Sequence, residues 1–237
     1  MSPQPGESSP GESRPGDRRP GDPRSGDPRS GDPRSGDPRL ADPRTVRTRT
    51  RLHEALLAAC AEQPLRDLTV AELVRRAGIA RATFYLHYTD VQDLAVDTCA
   101  GIVRDAVDAL HAWRGVPDPA APPPALTAFF TTAHGHAGLY RALMHPGGGG
   151  PLGDTLHREL RERSRTERAA AGAPAPELIA SAVAATFTGV LADWAHGLID
   201  SPPQDLAADV WRLLIVLHRY GAGAAARDPG DRPGQRT

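Results

Sequence analysis

The chain has 237 residues, and its 28 basic and 29 acidic side chains leave a formal net charge of −1 at pH 7. This balance excludes a general excess of positive charge, so any contact with a polyanion must come from a local surface. Because the sequence has no apolar stretch of about 18 residues and its two cysteines, Cys60 and Cys99, lack paired spacing, we expect a cytoplasmic protein with no membrane partner.

The N-terminal segment is a short repeat. From Pro5 to Arg44 it reads PGESS, PGESR, PGDRR and PGDPR, then SGDPR three times, and finally LADPR. A stretch rich in Gly and Pro, with no large apolar residue before Leu40, cannot bury enough surface to offset chain entropy. Residues 1–44 are therefore predicted to be a disordered tail with balanced charge, and residues 222–237 a second disordered tail.

Order is expected to begin near Thr45, and residues 45–96 are predicted to form the first domain. Leu52, Leu56 and Cys60 recur at helical spacing. Pro64 then ends this first helix, because proline cannot continue the hydrogen-bond ladder.

The next stretch, LTVAELVRRAG, predicts a second, short helix. Thr69 is placed as its N-cap, Glu72 follows three residues later to close a capping box, and Leu68 and Leu73 form a hydrophobic staple around the helix start. Gly78 comes directly after the helix, where a positive φ costs glycine little and permits a sharp turn.

A third short helix is predicted over residues 80–88. At about 100° per residue, Phe84 and Tyr88 lie within about 40° of each other and are expected to be a buried pair. The opposite face carries Ala82 and Leu86 among polar and aromatic side chains. A capped helix, a glycine turn and a helix with one apolar and one mixed face form a helix-turn-helix, whose second helix enters the DNA major groove.

The residue types on the mixed face suit DNA. Ala82 lets the backbone approach the groove floor, Thr83 can hydrogen-bond a base or a phosphate, and Leu86 suits a thymine methyl group. Tyr85 and His87 are expected to reach the sugar–phosphate walls, which position the helix without reading sequence.

Four arginines are predicted to add contacts to double-stranded DNA. Arg47, Arg49 and Arg51 alternate just before the first helix, where a flexible basic arm would reach phosphates or a minor groove. Arg81 adds a further positive charge at the start of the recognition helix.

The remainder of the chain is also predicted to be helical. Asp90 caps a long helix that ends near Gly115, and a proline-rich break follows. No segment shows strand alternation, so we predict an all-α chain of about nine helices, with residues 97–221 as a helical ligand-binding and dimerisation domain. The later helices are expected over residues 126–134, 138–145, 152–171, 176–199 and 203–220.

The second domain is predicted to hold an effector pocket, because such pockets mix aromatic side chains with a few polar groups. Packing in the core is the alternative for each candidate. The candidates are Phe129, Phe130, His134, Tyr140, Met144, Phe187 and Trp194.

Catalytic and metal motifs are lacking in the sequence. His134 and His136 would point about 200° apart on a helix, so no metal site is expected. The glycine run at 147–150 lacks the Lys and Ser/Thr of a phosphate-binding loop, and we interpret it as a floppy connector. With no nucleophile elbow or dinucleotide fingerprint either, we expect no cofactor and no enzymatic activity.

The stretch LTVAELVRRAGIARATFYLHYTDVQDL resembles the DNA-binding signature of the TetR family of bacterial transcriptional regulators, over about residues 47–96. The pieces T-V-x-E-L, A-G-I and T-F-Y-x-H-Y occur in order. The family often has Ser or Thr where Ala80 stands and usually Lys where Val91 stands, so we expect the N-terminal arginines to compensate. By position, the resemblance places five residues at DNA: Thr69, Ala82, Thr83, Tyr85 and His87.

The resemblance also implies a homodimer that contacts its partner through the last two long helices and binds an inducer in the C-terminal domain. The sequence agrees, because residues 178–199 are apolar around most of the helix and a second apolar stripe runs from Leu206 to Leu217. A core within one chain is the alternative.

The leading hypothesis is a sequence-specific transcriptional regulator, a repressor released from a palindromic operator by a small-molecule effector. A helical ligand-binding or enzymatic domain with a vestigial helix-turn-helix is the alternative. A DNA-binding module without any effector cavity is a third possibility.

Overall fold

A computed structural model describes residues 42–113, 115, 117–173 and 175–225, with side chains as far as residue 219. The predicted tails lie outside these residues except at their inner ends. Within the described part the chain has nine α-helices and no strand, so the predicted all-α fold is confirmed. The helices are α1 (Pro43–Glu62), α2 (Val70–Ala77), α3 (Arg81–Tyr85), α4 (Val91–Ala112), α5 (Pro124–Gly135), α6 (Ala137–Leu143), α7 (Gly150–Ala170), α8 (Pro176–Ala195) and α9 (Pro203–Ala225).

The first helix starts earlier than expected. Asp42 is its N-cap and accepts a 2.9 Å hydrogen bond from the Arg44 N–H, while Pro43 occupies the first helical position. This Asp-Pro start lies in the last unit of the repeat, within the segment predicted to be a disordered tail. The predicted flexible basic arm is therefore wrong, because Arg47, Arg49 and Arg51 all lie within α1.

The start of α2 follows the prediction only in part. The Thr69 hydroxyl accepts a hydrogen bond from the Glu72 N–H at 3.3 Å, as an N-cap should. The Glu72 carboxylate does not complete the capping box but accepts hydrogen bonds from Gln63 and Arg76. Glu72 therefore joins α2 to the end of α1, a tertiary contact that local sequence spacing does not reveal.

Gly78 sets the angle between α2 and α3. Its φ of +64° and ψ of 39° lie in the left-handed region, and the next N–H, that of Ile79, donates to Val74 O at 3.0 Å. The regular part of α3 is shorter than predicted and ends at Tyr85, with Leu86 and His87 in the turn that follows.

The longer helices, α4, α5, α7, α8 and α9, pack against one another to form the C-terminal part of the fold. Asp90 caps α4 as predicted, accepting a hydrogen bond from Asp93 N–H at 2.8 Å. Helices α7 and α8 pack along each other, α5 packs on α9, and α4 contacts α1, α5 and α7. The predicted boundary between residues 96 and 97 falls inside α4, so this one continuous helix serves both parts of the fold.

The glycine run is packed rather than floppy. Gly148 has a φ of +93°, and a Cβ built on it would lie 2.9 Å from the backbone of both Thr188 and Gly189 in α8. The Gly147 N–H also donates to Asp193 Oδ1 at 2.7 Å. The interpretation of this run as a floppy connector is therefore wrong, because the absence of side chains is what allows the turn to contact α8.

Helix α8 is the one described helix long and apolar enough to cross a membrane, with a mean hydropathy of 1.5 over its most apolar window. Half of that window is buried within the structure. Its buried residues include Ile179, Phe187 and Leu191, which is typical of the central helix of a folded domain.

Candidate DNA-binding surface and ligand cavity

The outer face of α3 and the turn after it is open to solvent. Leu86 is 80% exposed and Tyr85 50% exposed, and Arg81 and Ala82 are exposed beside them. Thr83 and His87 are half-buried at its edges. At this exposure the Leu86 side chain contributes little to the core and can contact another molecule. We call these six residues the recognition face.

The opposite side of the same segment fixes it to the protein. Phe84 is fully buried and Tyr88 is 4% exposed, as predicted, with ring centroids 5.8 Å apart. Burial of each ring stabilises the fold by about 2–3 kcal/mol. A helix of five residues has little intrinsic stability, so these two rings decide the orientation of the recognition face.

Tyr85 is braced by its neighbours although its ring is half exposed. Phe84 contacts it edge-on at 5.4 Å, and the Arg81 Cζ lies 5.8 Å from the centre of its ring. Arg81 Nη2 also donates a 3.3 Å hydrogen bond to the Tyr85 hydroxyl. The phenol and the guanidinium thus stand side by side, two groups suited to phosphate oxygens.

Behind the recognition face lies a polar cluster centred on Asp97 of α4. Its Oδ2 accepts hydrogen bonds from the Tyr88 hydroxyl and from Arg49 Nη2, both at 2.7 Å, and lies 3.0 Å from His53 Nε2. Its Oδ1 accepts from Arg104 Nη2 at 2.9 Å. We call these five residues the Asp97 cluster; it ties α1, the end of the recognition segment and α4 together.

The cluster sets the charge states around it. Burial acts to raise the pKa of Asp97, but hydrogen bonds from His53, Arg49 and Tyr88 outweigh it, so the pKa lies well below its usual value. Burial and the bond to Asp97 raise the pKa of Tyr88, which stays neutral. Burial, helped by the charge of Arg49, lowers the pKa of His87, so the half-buried imidazole is mostly neutral at pH 7.

Sequence reasoning missed His53, Asp97 and Arg104. One signal was present: Asp97 stands three residues after Leu94, so a carboxylate falls beside the buried stripe of α4. A charged group at such a position is buried only when it is paired.

The predicted basic residues of α1 play different parts. Arg49 is held in the Asp97 cluster, where its Nε also donates to the Tyr88 hydroxyl at 3.2 Å. Arg47 and Arg51 are exposed one helical turn apart, and Thr69 is exposed at the start of α2. Of the three arginines of α1 predicted to contact DNA, Arg49 forms an ion pair with Asp97. Arg47 and Arg51 form no ion pair with any residue in the described part of the chain.

A cavity of about 690 Å³ lies between α4, α5, α7, α8 and α9. Its walls are largely aliphatic, and its volume lies in the range of small-molecule sites. Aliphatic lining residues include Val103, Val107, Leu110, Leu160, Leu214 and Ile215.

The cavity differs from the predicted pocket. Phe129 and Phe187 line it, whereas the other five candidates lie elsewhere. Phe130, Tyr140 and Met144 are fully or almost fully buried in the core, and the exposed His134 contacts Trp194 with the ring centroids 5.6 Å apart and the ring planes tilted by 36°. The search for aromatic residues therefore identified mostly core residues. The cavity walls are formed mainly by Val, Leu and Ile, which cannot be distinguished in the sequence from the core residues of any helix.

Several large apolar side chains remain exposed on the last two helices. Leu178 of α8 is 61% exposed, and Leu213 and Val216 of α9 are 46% and 63% exposed. Leu213 and Val216 are three residues apart and are neighbours on the surface of α9, whereas Val210 and Ile215 of the same helix are buried.

An exposed helix-turn-helix with a glycine turn, followed by a helical domain with a cavity, is the arrangement typical of helix-turn-helix transcriptional regulators. Residues 53–97 match the family model of the bacterial regulatory proteins, tetR family. This segment therefore matches the tetR family, and the resemblance predicted from the sequence is confirmed for residues 53–97.

Solved structures give the same fold. A TetR transcriptional regulator from Rhodococcus sp. RHA1 aligns with a TM-score of 0.51 at 19% identity, over 73% of this chain and 97% of that one. A tetR-family regulator from Streptomyces coelicolor aligns with a TM-score of 0.52 at 18% identity, over 78% and 91%. No curated protein sequence matches the chain.

Proposed function

We propose that this protein is a cytoplasmic repressor that binds a palindromic operator as a homodimer and releases it when a small molecule fills the C-terminal cavity. The observation that carries the proposal is the recognition face, where Tyr85 and Leu86 are exposed while Phe84 and Tyr88 anchor the same segment. A soluble domain has no structural need for this exposed leucine and tyrosine, but a helix that enters the major groove does.

The proposed DNA contacts follow from exposure and chemistry. Ala82, Thr83 and Leu86 face base edges, while Tyr85 and His87 contact the phosphate walls. Thr69, Arg81, Arg47 and Arg51 add backbone contacts. Arg49 is reassigned from DNA contact to positioning, because its guanidinium is bonded to Asp97 and Tyr88.

The effector is proposed to act through α7. This helix lines the cavity at Leu160 and Arg163, and the adjacent Glu159 accepts hydrogen bonds of 3.1 and 3.2 Å from Arg104 Nη1. Arg104 in turn donates to Asp97. A ligand that binds better to a shifted α7 would change the position of α4 and, through the Asp97 cluster, that of the recognition segment.

Dimerisation is proposed through α8 and α9, where Leu178, Leu213 and Val216 are exposed. In a four-helix contact between two copies, these side chains would be removed from water. Sedimentation velocity should give a dimer at micromolar concentration, and Leu213→Glu combined with Val216→Glu should give a folded monomer. A monomeric parent protein would contradict this part of the proposal.

Selection of genomic fragments by the full-length protein tests the whole proposal. We expect an inverted repeat whose half-site centres are about 34–36 Å apart, one helical turn of DNA. Recovery of fragments with no common sequence would instead favour the vestigial helix-turn-helix. Release of the selected fragment by a small molecule then tests the role of the cavity, and a cavity that admits no ligand would favour a DNA-binding module without an effector.

A further inference from the structure

The charged residues of the cavity wall are unbalanced. Three arginines and two histidines line it, and Glu167 is the one acidic side chain among the described lining residues. The charged sector lies on α7 and at the ends of α4 and α9. The rest of the wall is apolar, so the cavity combines an aliphatic body with a cationic end. Its basic lining residues are His111, Arg163, Arg168, His218 and Arg219.

Arg163 is already neutralised by the protein. Its Nη1 donates to Asp108 at 2.5 Å and its Nε to Glu167 at 3.0 Å, while Nη2 lies 2.9 Å from His111 Nδ1. Glu167 also lies 2.9 Å from His111 Nε2, so this carboxylate is shared between two basic groups. The positive charge of Arg163 is therefore balanced within the protein, and Arg163 is not the group that would bind an anionic ligand.

Arg168 is different. Its Nε donates to Ser164 Oγ at 3.2 Å, and no carboxylate of the described residues lies within ion-pair distance of its guanidinium. Burial lowers the pKa of Arg168, and the neighbouring Glu167 offsets this shift only in part. Within the described part of the chain the Nη groups of this half-buried guanidinium have no partner, and a charge taken from water is stabilised by a partner of opposite sign.

We infer that the cavity binds an amphipathic carboxylate, with a long aliphatic body against α4, α5 and α9 and its carboxylate on Arg168. The guanidinium fork matches a carboxylate in a bidentate contact, and Ser164 holds the fork by its Nε so that the two Nη groups face the ligand. The inference concerns the cavity that the proposed function assigns to the effector, and its regulatory meaning rests on that function.

Calorimetric titration of the full-length protein with three matched probes tests the inference. Dodecanoate, 1-dodecanol and dodecylammonium, each below its micellar concentration, share the aliphatic body and differ in the head group. We expect dodecanoate to bind at least tenfold more tightly than the alcohol, and dodecylammonium to bind most weakly. Arg168→Gln should weaken dodecanoate binding by about tenfold or more, since a hydrogen bond to a charged group is lost, and should leave the alcohol unchanged.

Arg161→Gln is the matched control. Arg161 lies on the same helix, pairs with Glu177 at 3.1 Å and does not line the cavity, so this variant should bind dodecanoate as the parent does. Circular dichroism should show that both variants are folded. The inference is wrong if both variants lose the same dodecanoate affinity. It is also wrong if dodecanoate does not bind the folded parent, or if dodecylammonium binds more tightly than dodecanoate.

Operator release is measured separately, so the two proposals can fail independently. If dodecanoate binds through Arg168 but leaves the operator complex intact, the carboxylate site stands and the effector mechanism is wrong. If an uncharged compound releases the operator and dodecanoate does not bind, the regulator stands and the carboxylate site is wrong.

Discussion

The Tyr88 hydroxyl donates a 2.7 Å hydrogen bond to Asp97 Oδ2, and this bond ties the end of the recognition segment to α4. The same carboxylate binds Arg49 of α1, so one side chain fixes three parts of the DNA-binding domain. Because α4 continues into the helical domain that holds the cavity, this pair lies where a change in that domain would reach the recognition face.

Tyr88→Phe should distinguish the contribution of the ring to stability from that of the hydroxyl. The ring keeps its place against Phe84, but the hydrogen bond to Asp97 is lost, so we expect the free energy of unfolding to fall by about 1–2 kcal/mol. Urea denaturation measures this. Tyr85→Phe on the same segment is the control, because among the residues that the structure describes its hydroxyl bonds only the exposed Arg81, and it should change stability by less than about 0.5 kcal/mol. Equal stability of Tyr88→Phe and the parent would contradict the role of the bond.

Asp97→Asn should make stability less dependent on pH. The pKa of Asp97 is lower in the folded protein than in the unfolded chain, so the unfolded state binds more protons and stability rises with pH. The contribution is complete above about pH 5 and is lost as the pH falls below the unfolded value of about 3.9. We expect the variant to be about 2–3 kcal/mol less stable at pH 7 and the difference to shrink below pH 5. A difference that stays constant from pH 7 to pH 3 would show that the charge of Asp97 is not what matters.

Arg47→Gln and Arg51→Gln should weaken operator and random DNA alike. If each guanidinium neutralises one phosphate, each substitution should reduce the slope of log affinity against log salt by about 0.9. Fluorescence anisotropy over a range of salt concentrations measures the slope. Arg158→Gln on α7 makes the same change in charge away from the recognition face and should leave the slope unaltered. Loss of affinity at one salt concentration with no change in slope would rule out phosphate contact.

Thr83→Ala and Tyr85→Phe should act differently on DNA recognition. Thr83 is proposed to face base edges, so its loss should relax preference at particular operator positions by about 1–3 kcal/mol. Tyr85→Phe removes a phosphate contact and should reduce affinity uniformly across sequences. Binding to a panel of single-base operator variants distinguishes them, and the reverse pattern would exchange the two roles.

Gly148→Ala should destabilise the C-terminal domain. A Cβ there would lie 2.9 Å from the backbone of Thr188 and Gly189, and φ is +93°, so we expect a loss of about 2–4 kcal/mol. Gly138→Ala is the control, since Gly138 lies in α6 with nothing within 4 Å of its Cβ position and alanine favours helix. It should be neutral or slightly stabilising. A tolerated Gly148→Ala would restore the view of this run as a loose connector.

Some of the site followed directly from the order of residues. The cap at Thr69, the turn at Gly78 and the buried pair Phe84 and Tyr88 depend on neighbours within four positions, so helical geometry alone predicted them. The predicted DNA-contact residues on α3 are local in the same sense: once the two rings are buried, the opposite side must face outward.

The remainder depended on groups that are distant in the chain. Arg49 looked like part of a flexible arm until folding placed it beside Asp97, 48 residues away. Likewise, the glycine run took its packed form from α8, and the cavity took its walls from five helices. The sequence by itself determined the helical fold class, the glycine turn and the exposed face of α3, because these arise from interactions within a few residues. Only the tertiary structure decided which charges are paired and where the cavity opens, because both depend on distances between separate helices.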